Sequence, residues 1–230
     1  MKNNKIAIIT ARSGSKRIPQ KNVKLFFGKP AIAYAIESAI KSNLFDEIMV
    51  STDTKYIADI PKEYNAKVPF FRSKKNSDDF SSTADVLLEV LKEYEKGGRS
   101  YDEVCCIYPC SMLINESHII KSHSLLRNSV NAVIPVCKYN VQTFFQLKIT
   151  NDKLIHTHDI KKALRTQDIE DTYYDAGQFY WLKTDNFIKT KSIMPDNTAP
   201  YLISDLHCQD VDNIEDWKMA EIKYQFLNGK

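Results

Sequence analysis

Glycine is scarce in this chain, six residues in 230, and no two of them complete G-x-x-x-x-G-K-[ST] or G-x-G-x-x-G. That excludes a P-loop and a dinucleotide fingerprint, each of which needs paired glycines so that the backbone can approach phosphate. The five cysteines form no C-x-x-C pair, and two of them, Cys105 and Cys106, are adjacent. An odd, unspaced set argues against a secreted disulfide framework and against a tetrahedral zinc site. Charge of one sign is missing too: 32 basic against 29 acidic residues leave a net +3, with the lysines scattered. A nucleic-acid partner is not expected from that balance. The apolar run before Thr10 is too short for a signal-peptide core, and no run reaches the length of a membrane helix. The histidines (118, 123, 156, 158 and 207) do not cluster, so no Ser-His-Asp or Cys-His arrangement is available. These absences lead to the expectation of a reduced, cytoplasmic protein, with no membrane partner, that works without a covalent nucleophile.

What remains is ordinary globular composition, 43% apolar and 27% charged, enough for one α/β domain over residues 1–230. The stretch Thr10 to Asn22, TARSGSKRIPQKN, organises it. Before it, KIAIITA reads as a buried strand; after it, Pro30 opens AIAYAIESAIKS, a helix with proline at its start. A basic loop between a first strand and a first helix is expected at the carboxyl edge of a parallel sheet, where anions bind. Gly14 allows close backbone approach, Ser13 and Ser15 are donors, and Arg12, Lys16, Arg17 and Lys21 bring charge suited to a triphosphate.

Further on, strands are expected at 47–52, 67–71, 104–108 and 132–136. Helices are expected at 56–64, 81–96 and 115–128, with Ser82 and Asp85 spaced as a capping box and Gly97-Gly98 as a stop. The alternation predicts a doubly wound, mostly parallel sheet. Residues 138–171 break the rhythm with short β-like runs around Thr150-Asn-Asp-Lys153, a hairpin signal, and read as an inserted arm that packs on a second subunit. The sheet resumes at 178–182. A last helix at 214–227 carries Ile214, Trp217, Ala220, Tyr224 and Leu227 on one face.

ARSGSKRIPQKN resembles the ARGGSKxIxxKN signature of the acylneuraminate cytidylyltransferases, which activate nonulosonic acids, and of their Kdo-activating relatives. Ser13 departs from that pattern. The segment from Arg72 to Asp85 partly resembles the family's R-P-x-x-L-x-x-D, with Ser73 for proline and Asn76 for leucine. Tyr108-Pro-Cys-Ser-Met-Leu113 stands where the family has Q-P-T-S-P-L-R. Tyr174-Asp-Ala-Gly-Gln-Phe-Tyr-Trp181 resembles the pseudaminic acid branch. Gln209-Asp-Val-Asp212 resembles the family's Q-D-I-D metal motif.

The resemblance implies a Rossmann-like nucleotide-diphospho-sugar transferase fold. It implies transfer of CMP from CTP to the anomeric hydroxyl of a nonulosonic acid, with sialic and legionaminic acids as alternative sugars, for surface or flagellin glycosylation. A non-catalytic nucleotide-binding protein on the same fold is the rival from another class. Arg12, Lys21, Asp210 and Asp212 are the implied catalytic residues. Ala11, Arg12, Ser13, Gly14, Ser15, Lys16, Lys21, Asn22, Arg72, Ser82 and Thr83 are implied for CTP. Tyr108, Arg165, Asp175, Gln178 and Tyr180 are implied for the sugar, with Arg165 either reaching a partner's site in a homodimer or pairing with Asp168 of its own chain. Asp210 and Asp212 would hold Mg²⁺, with Mn²⁺ as a substitute. Two carboxylates at i and i+2 on extended chain point to one side, as a shared cation requires. Asp212 also sits three before Glu215, a helix-capping spacing.

Overall fold

The computed structural model describes residues 4–140, 145–157 and 170–229. A seven-stranded sheet forms its centre: β1 (Lys5–Thr10), β4 (Glu47–Ser51), β5 (Glu103–Ile107), β6 (Ala132–Lys138), β9 (Tyr173–Asp175), β10 (Phe179–Lys183) and β11 (Thr198–Leu202). The order is β11-β6-β10-β5-β1-β4, with β9 on β6. β1 runs parallel to β4 and β5, and β11 parallel to β6; β10 and β9 run against their neighbours. The sheet is therefore mixed but mostly parallel.

Alternation along each strand divides the core. Ala7 and Ile9 of β1, Cys105 and Ile107 of β5, and Phe179 and Trp181 of β10 face one layer. Its helices are α1 (Ala31–Ser42), α2 (Lys55–Glu63) and α4 (Glu116–His123). Ile6, Ile8, Val104, Cys106, Tyr180 and Leu182 face the other, under α3 (Thr83–Lys96) and α5 (Thr184–Thr190). Period-two strands with apolar residues at every position are what a sheet covered on both faces requires. The adjacent Cys105 and Cys106 thus point to opposite faces, both fully buried, and all five cysteines are free thiols.

A third cluster holds the chain ends together. The small hairpin of β2 (Leu25–Phe26) and β3 (Lys29–Pro30) puts the fully buried Phe26 against Tyr34 of α1 and Trp217 and Tyr224 of α6 (Ile214–Leu227), at centroid distances of 5.4, 5.6 and 5.2 Å. Such edge-to-face contacts add to the area the rings bury.

Several boundaries differ from expectation. Residues 67–71 form no strand: Lys67 makes one parallel bridge to Met49, and Pro69 cannot donate to a ladder. Helix α4 ends at His123 rather than 128. On α6 the buried residues are Trp217, Ala220 and Lys223, while Ile214 is half exposed. The Lys223 ammonium reaches inward to the carbonyls of Asp205 and Cys208 at 2.9 and 2.8 Å, which a hydrophobic pattern cannot foresee. Strands β9 and β11, helix α5 and the β2–β3 hairpin were not expected. The capping box of Ser82 with Asp85 is present.

The arm holds an antiparallel hairpin, β7 (Leu147–Thr150) and β8 (Lys153–His156), turning on Asn151 and Asp152 at φ 49° and 58°. Both turn residues are left-handed, as a two-residue type I′ turn needs. All eight strand residues are exposed. Phe144, His158, Arg165 and Asp168 lie outside the described residues. No helix among the described residues is long and apolar enough to cross a membrane.

Candidate active site

Because β1, β4 and β5 are parallel, the loops that leave them collect at one edge. Since β10 runs the other way, its beginning arrives at that same edge: Phe179 pairs with Ile107, and Tyr108 N–H donates to the Gln178 carbonyl at 2.9 Å. A cavity of about 560 Å³ opens there. The basic loop (Arg12, Gly14, Ser15, Lys16, Arg17, Ile18, Lys21, Asn22) forms one wall, Tyr108–Cys110 and Gly177 the floor, and Gln209–Asp212 the opposite wall.

The loop is fastened at several points. Ser13 gives both its N–H and its hydroxyl to the carboxylate of Asp53, at 2.8 and 2.6 Å. The buried Asn22 amide donates to the Arg12 carbonyl at 2.8 Å, and Ala11 N–H to Ser51 O at 2.9 Å. The Arg12 Nη1 donates to Asp79 Oδ1 at 2.6 Å and to the Asp78 carbonyl at 3.0 Å, and Lys16 Nζ meets Asp79 Oδ2 at 2.5 Å. Both cations hold the Asp79 carboxyl below its ordinary range.

Across the cavity, Lys21 donates to the Val211 carbonyl and lies 3.9 Å from Asp212 Oδ1, to which Arg17 Nη2 comes within 3.0 Å. The wall is thus tied to the loop although 190 residues separate Lys21 from Val211. Asp210 opens onto the cavity beside Gly177; a Cβ built on that glycine would stand 4.0 Å from its Cγ. Partial loss of water, and then the nearby Asp212, raise the Asp210 carboxyl above the usual range, and Lys21 opposes them. A raised carboxylate in a cleft beside a second acid is a common mark of a functional site. Asp212 is not the helix cap. Asn213 caps α6, in a reciprocal box with Asp216. Among the described residues no three His, Cys, Asp or Glu side chains gather as a metal cage, so Asp210 and Asp212 stand as a pair.

Of the residues implied for the sugar, Tyr108 lines the cavity. Its hydroxyl bonds Thr83 Oγ1 at 2.8 Å, and its ring meets Tyr180 edge-on at 5.4 Å. Tyr180 donates to Asp175 Oδ2 at 2.9 Å, and Asp175 Oδ1 accepts from Gly177 N–H at 2.9 Å. Burial raises the Tyr108 and Tyr180 phenols, so both are neutral donors. Gln178 is 1% exposed, its amide donating to the Ala176 and Gln209 carbonyls at 2.9 and 3.3 Å. That ties the start of β10 to the wall bearing Asp210.

Five residues implied for CTP do not line the cavity: Ala11, which is fully buried, Ser13, which is held on Asp53, and Ser82, Thr83 and Arg72. Ser82 is the α3 cap. Thr83 is reached through Tyr108. Arg72 is buried, with its guanidinium on Ser51 Oγ and O at 3.0 and 2.7 Å; desolvation brings it down to about 10, with Asp53 opposing. Asp53 and Asp79 escaped the sequence reading. For Asp79 a signal existed: counting R-P-x-x-L-x-x-D from Arg72 ends on it.

Comparison with known proteins completes the description. The family described as "Cytidylyltransferase" matches residues 6–225. The pseudaminic acid cytidylyltransferase of Campylobacter jejuni subsp. jejuni is 35% identical over 98% of this chain and 97% of its own. The CMP-N,N'-diacetyllegionaminic acid synthase of Legionella pneumophila is 30% identical over 94% of each. A solved CMP:2-keto-3-deoxy-manno-octonic acid synthetase complexed with CTP has TM-score 0.70 at 15% identity, covering 99% of this chain and 100% of that one. That likeness shows the shared sheet-and-helix fold. With a match from the first strand into the last helix, the chain belongs to the cytidylyltransferase family of nucleotidyltransferases.

Proposed function

We propose that this enzyme transfers CMP from CTP to the anomeric hydroxyl of pseudaminic acid, releasing pyrophosphate. The observation that carries the reading is the meeting of a four-cation loop with the Asp210–Asp212 pair across one 560 Å³ cavity. Identity of 35% to a pseudaminic acid enzyme supports the choice of sugar. Legionaminic acid is the second reading, supported by 30% identity to the synthase that makes its CMP derivative.

In this mechanism Arg12, Ser15, Lys16 and Lys21 bind the phosphates that leave. The sugar hydroxyl oxygen bonds to the α-phosphorus and gives its proton to solvent as the bond from that phosphorus to the α,β-bridging oxygen breaks and pyrophosphate leaves with that oxygen, a displacement that rests on positioning and charge neutralisation. Asp210 and Asp212 would hold Mg²⁺, or Mn²⁺ in its place. The donor set fits: two carboxylates near enough that Asp212 raises Asp210 form a repulsive pair that a hard cation would relieve. Once bound, the metal supplies Lewis-acid stabilisation of charge on phosphate. Tyr108 faces the sugar from the cavity lining, and the buried Tyr180 orients Asp175 beside it through its hydroxyl. Gly177, at φ +61°, keeps the floor beside Asp210 free of a side chain.

The exposed hairpin at Leu147–His156, and the arm that carries it, pack on a second copy in a homodimer. The decisive experiment incubates the enzyme with CTP, Mg²⁺ and a panel of nonulosonic acids while following pyrophosphate. Turnover is expected with pseudaminic acid. Turnover with legionaminic acid alone would install the second reading, and none with any acid would overturn the function.

A further inference from the structure

Two of the four cations of the phosphate loop, Arg12 and Lys16, are already occupied. The Asp79 carboxylate spans them, Oδ1 on Arg12 Nη1 at 2.6 Å and Oδ2 on Lys16 Nζ at 2.5 Å, and Asp79 itself lines the cavity. The neighbouring Asp78 carbonyl takes the same Arg12 nitrogen at 3.0 Å. This is the two-point contact a phosphate would make, supplied by the protein's own chain.

The segment bearing Asp79 is formed independently of the loop it touches. The Asp78 carboxylate accepts from Phe80 N–H, Ser81 N–H and Ser81 Oγ–H at 3.0, 2.8 and 2.7 Å. Ser81 Oγ also reaches the Lys75 carbonyl at 2.9 Å. Phe80, at the tip, is 94% exposed and packs on nothing that would hold the turn down. Asp79 can therefore leave the cations without unmaking its own turn. The pair itself is weak enough to exchange, since the Lys16 side chain is 81% exposed and that of Asp79 is 40% exposed.

We infer that Asp79 is an internal competitor for the phosphate subsite: it sits on Arg12 and Lys16 when the site is empty, is evicted by the triphosphate, and returns as pyrophosphate leaves. The inference rests on the reading of the loop as the phosphate site. A negative group that competes with both substrate and product weakens each by the same factor, since both must displace it. The consequence is a site that surrenders pyrophosphate readily, at some expense in affinity for CTP.

The test measures binding of inorganic pyrophosphate by titration calorimetry in metal-free, low-salt buffer, to the intact enzyme and to Asp79→Asn, Asp79→Glu and Arg12→Ala. Asp79→Asn keeps the size and removes the charge, so pyrophosphate should bind roughly five- to tenfold more tightly, the scale expected for two exposed ion pairs. Asp79→Glu, which restores the charge, should return toward the parent value. In turnover, pyrophosphate should become a stronger product inhibitor of Asp79→Asn, with KM for CTP falling alongside. Unchanged or weaker pyrophosphate binding in Asp79→Asn, while Arg12→Ala abolishes binding, would overturn the competitor role and leave the phosphate site standing. Binding to Arg12→Ala equal to the parent would remove the loop from phosphate binding altogether, and the inference with it.

Discussion

Replacing Asp210 or Asp212 by asparagine separates a catalytic acid from a structural one. Asp212 pairs with Arg17 at 3.0 Å and Lys21 at 3.9 Å, and the Arg17 and Asp212 side chains are 67% and 45% exposed. Exposed pairs of this kind contribute about 0–1 kcal/mol. For a chain of this length that moves Tm by no more than about 4 °C. The cap is on Asn213, so Asp212→Asn leaves α6 intact. Asp210 goes further. Its carboxyl is raised in the folded protein by desolvation and by Asp212. A raised acid favours folding below its unfolded pKa, and that contribution is lost as pH rises through the folded value. At neutral pH the ionised Asp210 is therefore a cost, and Asp210→Asn should be at least as stable as the parent in the empty state. Turnover should behave in the opposite way. Losing one of the two carboxylates proposed to hold the metal should remove several kcal/mol of charge stabilisation, which at about 1.4 kcal/mol per decade is a fall of at least roughly a hundredfold. Pyrophosphate release and thermal melting on the same samples read both quantities. A variant that melts far lower while keeping its specific activity would refute the argument and make the acid structural.

Gly177→Ala puts a Cβ at φ +61° and within 4.0 Å of the Asp210 carboxyl carbon; a loss of about 1–2 kcal/mol in denaturant unfolding with reduced turnover is expected, and an unaltered variant would remove the glycine's role. Tyr180→Phe deletes the 2.9 Å bond to Asp175; KM for the sugar should rise several-fold while KM for CTP stays, and a change in the CTP term alone would move Tyr180 out of the sugar side. Ile149→Ser with Leu154→Ser replaces side chains that are 75% and 69% exposed. Under the proposed homodimer, light scattering should show this double variant shifted toward monomer, and a fully active monomeric parent would sink the shared-arm reading.

The sequence exposed those parts of the site that are local. The basic loop, the D-V-D pair and the strand-helix alternation lie in contiguous stretches, and their periods and charges survive folding unchanged. The resemblance to a known family carried the rest of the site list. Direction was invisible: FYWLK is as apolar as any parallel strand, and nothing in it says that β10 runs backwards between β5 and β6. Long-range polar contacts were equally hidden. Asp53 reaches Ser13 across 40 residues and Asp79 reaches Arg12 across 67, and an acid in a polar stretch carries no sign of its partner. Lys223 spoiled the predicted face of α6 for the same reason, because its burial is justified by the carbonyls of Asp205 and Cys208 and by the Asp205 carboxylate at 3.2 Å.

The reversal of β10 decides which residues reach the mouth of the cavity. A parallel strand would deliver its carboxyl end to the mouth and its start to the far side of the sheet. Running backwards, β10 brings Asp175, Gly177 and Gln178 to the mouth, and Gln178 then grips the Gln209 carbonyl beside Asp210. The other half of that wall is fixed by α6, whose Trp217 and Tyr224 close on Phe26 just after the basic loop. Lys223 pins the segment between them to the same helix. Asp210 and Asp212 are therefore placed by packing at both ends of the chain, with Val211 between them buried in the same cluster as Phe26 and Trp217. Loosening the aromatic cluster should separate the acids from Lys21 before the central sheet melts. Loss of activity ahead of global unfolding, as denaturant rises, is what this arrangement entails.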